Sequence, residues 1–410
     1  METGLELRIL TDRFVRNYFK NGMIISVVRL DEIQNIARSK NIPIAFLQSP
    51  RVPKSALLYY IQQIQKVRLL KFTRSKSSIK LTKKYLYLSF VPELVLSCLV
   101  FVLHRVNKVL LKNYKWRELE NVLVANKVTE LIFAGYTGHL KESACELSMK
   151  YAIKIFVIQN SWKDLFINPY LPIRIDKMNV WSDEICELYE KLNPHAKKID
   201  WIIDWHPRLI DLLKFKQALK EDFLANDGRK RILYICANPK VIPYEFDVVE
   251  KILLNIHENL LMVVRPNPQD SQLNRWKRLE EQYENCLVDE HGWYWDEQSK
   301  INFPLPAAED KWNMLLGVCD VVVSVASTVT IEALLMHKKV INIVFGVDGE
   351  ISSHLKTLTE APYYEQLVHH PDVYLCSNIE SLNETLAKIL LSSFSGDSLS
   401  LRKFLTAYHD

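Results

Sequence analysis

The stretch DVVVSVASTVTIEALLMHKKVINIVFG, from Asp320 to Gly346, does most to restrict what this chain can fold into. Val321, Val322 and Val323 make a β-branched run too short for a helix and too apolar for an exposed strand, which predicts a central strand of a parallel sheet, buried on both faces. The chain then turns between Ser324 and Thr328. Ile331, Ala333, Leu334 and Leu335 give the next segment an apolar face at helical spacing, ending at His337, Lys338 and Lys339, cations suited to a helix C-terminus. A second buried strand, Val340 to Phe345, follows and stops at Gly346. Such a βαβ unit places its turn at the carboxyl edge of the sheet, where backbone amides and small hydroxyls can receive an anion. Ser324, Ser327 and Thr328 follow as candidate phosphate ligands. Glu332, one helical turn on, is positioned to accept hydrogen bonds from a ribose diol. The same residues also allow a plainer assignment, with Ser327 as an N-cap and Glu332 as a solvated first-turn carboxylate.

The same alternation recurs on either side. In the second half, a strand Ile232 to Cys236 leads into Ala237-Asn238-Pro239-Lys240, and a strand Leu260 to Val264 runs into Arg265-Pro266-Asn267-Pro268. Helices are expected over Glu245 to His257, Asp310 to Val318 and Ser381 to Leu391, a strand over Val373 to Cys376, and an ordered loop over Asp289 to Pro306. If these strands lie parallel in one sheet, their loops surround one anionic site that includes Asn238, Lys240, Arg265, Ser324, Ser327, Thr328 and Glu332. Arg265 matters most there, because a guanidinium at a strand end can pair bidentately with a phosphate. The first half reads as strands at Leu131 to Ala134, Ile155 to Ile158, up to Val180-Trp181-Ser182, and Trp201 to Asp204, with helices Lys141 to Tyr151 and Glu184 to Leu192. It opens with strand Met23 to Val28, helix Asp31 to Ser39 and strand Pro43 to Leu47.

A chain of 410 residues is long for one core. The turn signal Asn226-Asp227-Gly228 closes a helical connection, giving an N-terminal domain over 1–206, a linker over 207–228, a C-terminal domain over 229–392 and a last helix over 393–410. The fold class is α/β.

Charge singles out an insertion in the first domain, about 51–117. Between Arg51 and Arg117 stand fifteen Lys and Arg against one acid, Glu93, although the whole chain carries only +5. Leu57, Leu58, Ile61, Ile64, Val67 and Leu70 predict an amphipathic helix whose polar side grows basic through Arg68 and Lys71. Arg74, Lys76, Lys80, Lys83 and Lys84 follow. The apolar run Phe90 to Leu103 is interrupted by Pro92, Glu93 and Ser97, and falls short of the roughly 20 residues a membrane span needs. A basic segment beside an apolar helix suits an anionic membrane surface, the alternative being a core helix next to a solvated loop. Nothing here resembles a nucleic-acid motif, so no nucleic acid is expected. Seven widely spaced cysteines with no Cys-x-x-Cys pair argue for a reducing compartment and against structural zinc. The first residues carry acids and no long apolar run, so no signal peptide is expected and the location is read as cytoplasmic, with the inner membrane face as the peripheral site.

The order strand-Ala-Asn-Pro, Val-Val-Arg-Pro-Asn-Pro, then Cys-Asp-Val-Val-Val-Ser-Val-Ala-Ser-Thr followed by Glu332 resembles the donor half of GT-B glycosyltransferases that build bacterial capsule, lipopolysaccharide or teichoic-type polymers. In the first half, Ile158-Gln159-Asn160-Ser161-Trp162-Lys163-Asp164-Leu165 and Val180-Trp181-Ser182 are similar to Gln-x-Ser-Trp-Asp-Asn-Leu and Val-Trp-Gly elements of that family. Lys163 and Asp164 replace Asp-Asn, Ser182 replaces Gly, and Asn267 stands where His is common. The resemblance covers roughly Leu131 to Phe345. It implies two Rossmann-like domains facing a cleft, a nucleotide-sugar donor on the C-terminal half, a lipid-linked or glycan acceptor on the other, and transfer without a resident cofactor. The chain has no Asp-x-Asp element, so no metal is expected, and leaving-group charge would fall to Arg265 and the Ser327 and Thr328 hydroxyls. The acceptor hydroxyl needs a base from a first-half loop, and His139, Glu142 and Asp164 are the candidates. Two other chemistries share the fold: a CDP-activated polyol-phosphate transferase, and a sugar-nucleotide epimerase, whose characteristic acidic and Gly-Gly elements are not apparent. A non-catalytic membrane-associated scaffold is the remaining reading.

Overall fold

The computed structural model describes residues 23–26, 37–38, 41–46, 56–72, 88, 90–112, 117–135, 139–162, 164–167, 169–171, 174–215, 228–239, 242–268, 270, 272–289, 293–296, 301–304, 308–361, 364–365 and 367–392. Strands β1 (Ile24–Ser26) and β2 (Ile44–Phe46) pair in parallel as a small sheet of their own. Helices α1 (Ala56–Phe72) and α2 (Glu93–Lys112) pack on one another, and α3 (Arg117–Ala125) follows. Regular alternation then begins with β3 (Glu130–Ala134), α4 (His139–Lys150), β4 (Lys154–Ile158), α5 (Asp164–Ile167), β5 (Lys177–Val180), α6 (Asp183–Leu192) and β6 (Asp200–Ile203). These four strands form one parallel sheet in sequence order. Ser182 caps α6, its hydroxyl accepting from the Ile185 amide.

Helix α7 (Pro207–Phe215) leads to the second series: β7 (Lys230–Ile235), α8 (Glu245–Leu253), β8 (Leu260–Arg265), α9 (Leu273–Gln282), β9 (Cys286–Val288), β10 (Trp293–Asp296), β11 (Ile301–Pro304), α10 (Ala308–Val318), β12 (Val321–Ser324), α11 (Val329–Leu335), β13 (Lys339–Ile343), α12 (Ser353–Thr359), β14 (Val373–Cys376) and α13 (Ile379–Ile389). Six of these strands make a parallel sheet in the order β14-β13-β12-β7-β8-β9. The chain enters at β7, builds outward through β8 and β9, then returns to the other side at β12. That reversal between β7 and β12 is a topological switch point, the place where open α/β sheets form a crevice beyond their carboxyl ends.

The valine run lies where its composition requires. Val321 and Val323 join one apolar cluster with α8, α9 and α13, while Val322 joins a second with α10 and α11, so both faces of β12 are covered. The second cluster also crosses between the halves, uniting Trp162, Leu165, Leu209 and Leu212 with Leu316, Ile331, Leu334 and Tyr364.

Three expectations change. Helix α1 is not a basic amphipathic surface helix, because Gln63, Gln65 and Arg68 are buried. Arg68 donates to Glu93 at 2.5 Å, to the Gln65 side chain and to the Leu192 carbonyl, so its charge is spent inside the protein. Lys339 does not end α11: the helix stops earlier, His337 takes a left-handed turn at φ 56, and Lys339 is a buried strand residue whose ammonium donates to the Ile389 carbonyl. Between Asp289 and Pro306, the expected loop holds an antiparallel hairpin, β10 with β11, in which the aromatic run Trp293-Tyr294-Trp295 supplies the β propensity and Tyr294 stands opposite Phe303. Strand β9, helix α9 and helix α3 were also unforeseen. The expected segment Leu399 to Tyr408 lies outside the described residues.

Candidate functional site

The carboxyl edge of the larger sheet carries one polar row. Register pairs Asn342 with Ser324, Ser324 with Ile235, and Ile235 with Arg265, so these four residues stand side by side on the last rung of β13, β12, β7 and β8. Their alternation puts them on the face of Val340, Val322, Leu233 and Val263, the face that packs with α10 and α11. Asn342 and Ser324 are almost fully buried, and neither amide atom of Asn342 nor the Ser324 hydroxyl finds a hydrogen-bond partner in the protein. The Ser327 hydroxyl, in the turn above them, finds none either. Ser327 is therefore not a capping side chain; the cap position of α11 is Thr328, which makes no side-chain capping bond. Buried polar atoms left without a partner cost about 1–3 kcal/mol each, so three such residues at one sheet edge call for an explanation.

Beside this row, aromatic stacking links Arg265 to Glu332. The Arg265 guanidinium lies 4.7 Å from the Trp312 ring, and the Trp312 indole donates to Glu332 Oε2 at 2.6 Å. Arg265 also donates to Asp289 Oδ2 at 2.6 Å, and Lys311 meets the other oxygen of Asp289 at 2.5 Å. Glu332 is buried, so it is no solvated first-turn carboxylate. Arg265 and the α11 turn thus share one side of the sheet, with Trp312 between Arg265 and Glu332.

The first half meets this region through Trp162. Its ring lies 5.9 Å from that of Tyr364, and the Tyr364 hydroxyl bonds Thr330 of α11. The Gln159 to Trp162 loop is held at its own sheet edge by three bonds: Gly135 N–H to the Ile158 carbonyl, Gln159 N–H to the Asn179 carbonyl, and the Trp181 indole to the Gln159 carbonyl. The Gln159 side chain is buried with neither amide atom partnered, and the Ser161 hydroxyl is likewise unpartnered. Gly135 has φ +68, and a Cβ there would stand 2.6 Å from the Asn160 amide nitrogen, so only glycine suits both the turn and the approach of Asn160.

Of the proposed bases, His139 and Glu142 fall in the first turn of α4, directly beyond the carboxyl end of β3. Asp164 opens α5, and its carboxylate accepts from the Ser161 amide at 3.1 Å, closing its own turn. Asn238 follows β7, half-buried, with its carbonyl accepting from Ile242. Lys240 lies outside the described residues. Three residues escaped the sequence. Asn342 was hidden in an apolar run. Lys141 is a buried cation whose ammonium donates to the Ala134 carbonyl at 2.9 Å and the Gly135 carbonyl at 3.2 Å. Glu245 accepts from the Ala237 amide at 2.7 Å and from Tyr234, and burial pushes its carboxyl up to about 8 against these two bonds. Among the described residues no group of three or more His, Cys, Asp or Glu is arranged to hold a metal ion.

No protein-family model and no curated protein matches this chain. Among solved structures, the UDP-GlcNAc 2-epimerase from Neisseria meningitidis bound to UDP-GlcNAc is similar over 98% of this chain and 94% of that one, at 10% identity and a TM-score of 0.50. The chain has a GT-B-like two-domain fold. Two further structures align over comparable lengths: Staphylococcus aureus MnaA with UDP (9% identity, 99% of this chain and 88% of that one, TM-score 0.49) and Anabaena Alr3699/HepE in complex with UDP and glucose (12%, 100% and 93%, 0.46). At such identities the likeness concerns the fold, and the chemistry must be argued from this chain's own GT-B-like edge residues.

Proposed function

We propose that this protein uses a nucleotide sugar, and that it is a glycosyltransferase moving the sugar to a lipid-linked or polysaccharide acceptor in cell-surface glycan synthesis. The observation that carries the proposal is the row of Arg265, Ser324 and Asn342 at the switch point, with Ser327 above it, in which Ser324, Asn342 and Ser327 carry buried polar atoms whose hydrogen-bonding capacity the protein leaves unused. A nucleoside diphosphate supplies acceptors for hydroxyls and amides, together with the negative charge a guanidinium favours. The Neisseria neighbour is bound to a UDP-sugar, which agrees with that ligand class.

In this reading the acceptor hydroxyl attacks the sugar C1 as the C1–O bond to the diphosphate breaks. Negative charge grows on the leaving phosphate, where Arg265 and the Ser324 and Ser327 hydroxyls stabilise it. The acceptor's proton passes to a first-half base. Asp164 is engaged in closing its own turn, so the base is sought in the first turn of α4, at His139 or Glu142. The Trp162 to Tyr364 contact brings the Gln159 loop beside α11, which is what a sugar shared between two halves requires.

Calorimetric titration with UDP, CDP and GDP, followed by incubation with the matching sugar donors with and without glycan acceptors, tests this. The expected result is binding of one nucleoside diphosphate and acceptor-dependent release of it from its sugar. Conversion of a UDP-sugar to its epimer without acceptor would replace the transferase by an epimerase at the same donor site. Binding of no nucleotide would overturn both and leave a scaffold.

A further inference from the structure

Helix α2 turns an apolar face outward. Leu96, Val100 and Leu103 recur at helical spacing and pack into the core, while Leu94, Val95, Leu99, Phe101, Val102 and Val106 are exposed. Val95, Leu99, Val102 and Val106 follow i, i+4, i+7 and i+11, and Leu94 with Phe101 runs alongside them, so the exposed residues form one continuous ridge. Phe90, just before the helix, is 88% exposed and Leu94 76%. A contiguous apolar surface of this kind marks an interaction site.

Charge decides what covers it. From Leu94 to Trp116 the sequence has no acid and carries Arg105, Lys108, Lys112 and Lys115; from Thr73 to Tyr87 it adds Arg74, Lys76, Lys80, Lys83 and Lys84, again with no acid. Glu93, the one acid nearby, is engaged with buried Arg68. A second copy of the same face would bring cations against cations. An anionic lipid surface suits both components, taking the apolar ridge at its acyl boundary and the cations at its phosphates. Arg105 already has the geometry for such a boundary, its guanidinium 4.9 Å from the Phe101 ring. No described helix is long and apolar enough to cross a membrane, so the ridge would lie along the surface.

We propose that α2 docks the protein on an anionic lipid bilayer, with Phe90, Leu94 and Phe101 inserted at the acyl boundary and the cations that flank them in sequence serving the headgroups. This goes beyond the donor chemistry above and does not depend on it. The test is sedimentation of the full chain with vesicles of phosphatidylglycerol and phosphatidylcholine, and with phosphatidylcholine alone. Wild-type protein should pellet with the mixed vesicles and far less with phosphatidylcholine. The double variant L94Q/F101Q should lose about tenfold or more of its partitioning, as loss of two inserted side chains implies, while keeping its circular dichroism and unfolding midpoint. Charge reversal in K83E/K84E should lower binding to the anionic vesicles by a similar factor. Wild-type protein left in the supernatant with both vesicles, or L94Q/F101Q binding as wild type does, overturns the proposal. A wild-type dimer that L94Q/F101Q converts to a monomer, without vesicle binding by either, assigns the face to a second copy instead.

Discussion

Replacing Asn342 by Leu, which keeps the branching but carries no polar atom, should stabilise the ligand-free protein and weaken nucleotide binding at the same time. Asn342 is fully buried at the end of β13, and neither its amide nitrogen nor its oxygen has a partner. At about 1–3 kcal/mol for each of the two unpartnered groups, less about 1–3 kcal/mol for fitting the larger side chain, the central values leave a gain of about 2 kcal/mol. In a domain of this size each kcal/mol is worth about 2–4 °C, so the unfolding midpoint of the ligand-free protein should rise by several degrees in scanning calorimetry. The nucleotide would lose the hydrogen bonds that Asn342 gives it, and titration should show about tenfold weaker affinity or worse. An Asn342→Leu protein that unfolds earlier than wild type and binds nucleotide equally well would refute the reasoning, because the carboxamide would then be holding the fold rather than a ligand.

Trp312→Phe removes the charge-assisted bond to Glu332 and should cost about 1.5–3 kcal/mol in urea unfolding, with weaker nucleotide binding because Glu332 loses the indole N–H that orients it while a ring stays beside Arg265. Glu245 keeps its proton in the folded protein up to about 8 but loses it near 4.5 when unfolded, so its contribution to stability falls as pH rises between those values. Glu245→Gln should remove that slope, seen as a urea midpoint that holds steady relative to wild type's decline across the interval; a parallel decline in both proteins would count against it. Gly135→Ala forces a side chain into a left-handed turn and into Asn160, and should destabilise by at least about 1 kcal/mol in the same assay.

Sequence periodicity carried the architecture well because buried parallel strands leave a composition that few other structures share. Val321 to Val323 and the strands that end at Ile235 and Arg265 were legible for that reason, and their common edge followed from the connections alone. Side-chain placement was less legible, since it depends on neighbours far away in sequence. Asn342 sits in an apolar run, and its significance appears only when register sets it beside Ser324. An Asn inside an otherwise β-branched buried strand was the available signal. Arg68 looked like one more surface cation among many, until the folded chain brought Glu93 and the Leu192 carbonyl to it. Lys141 gave no signal at all, because its partners are the backbone carbonyls of Ala134 and Gly135.

The central claim is that the last rung of the larger sheet receives a nucleoside diphosphate. A co-crystal structure with UDP tests it most directly. The expected result is diphosphate density over the ends of β7, β8 and β12, with its oxygens or ribose within hydrogen-bonding distance of Ser324, Ser327 and Asn342. UDP bound elsewhere on the molecule, with those three side chains still unpartnered, would contradict it.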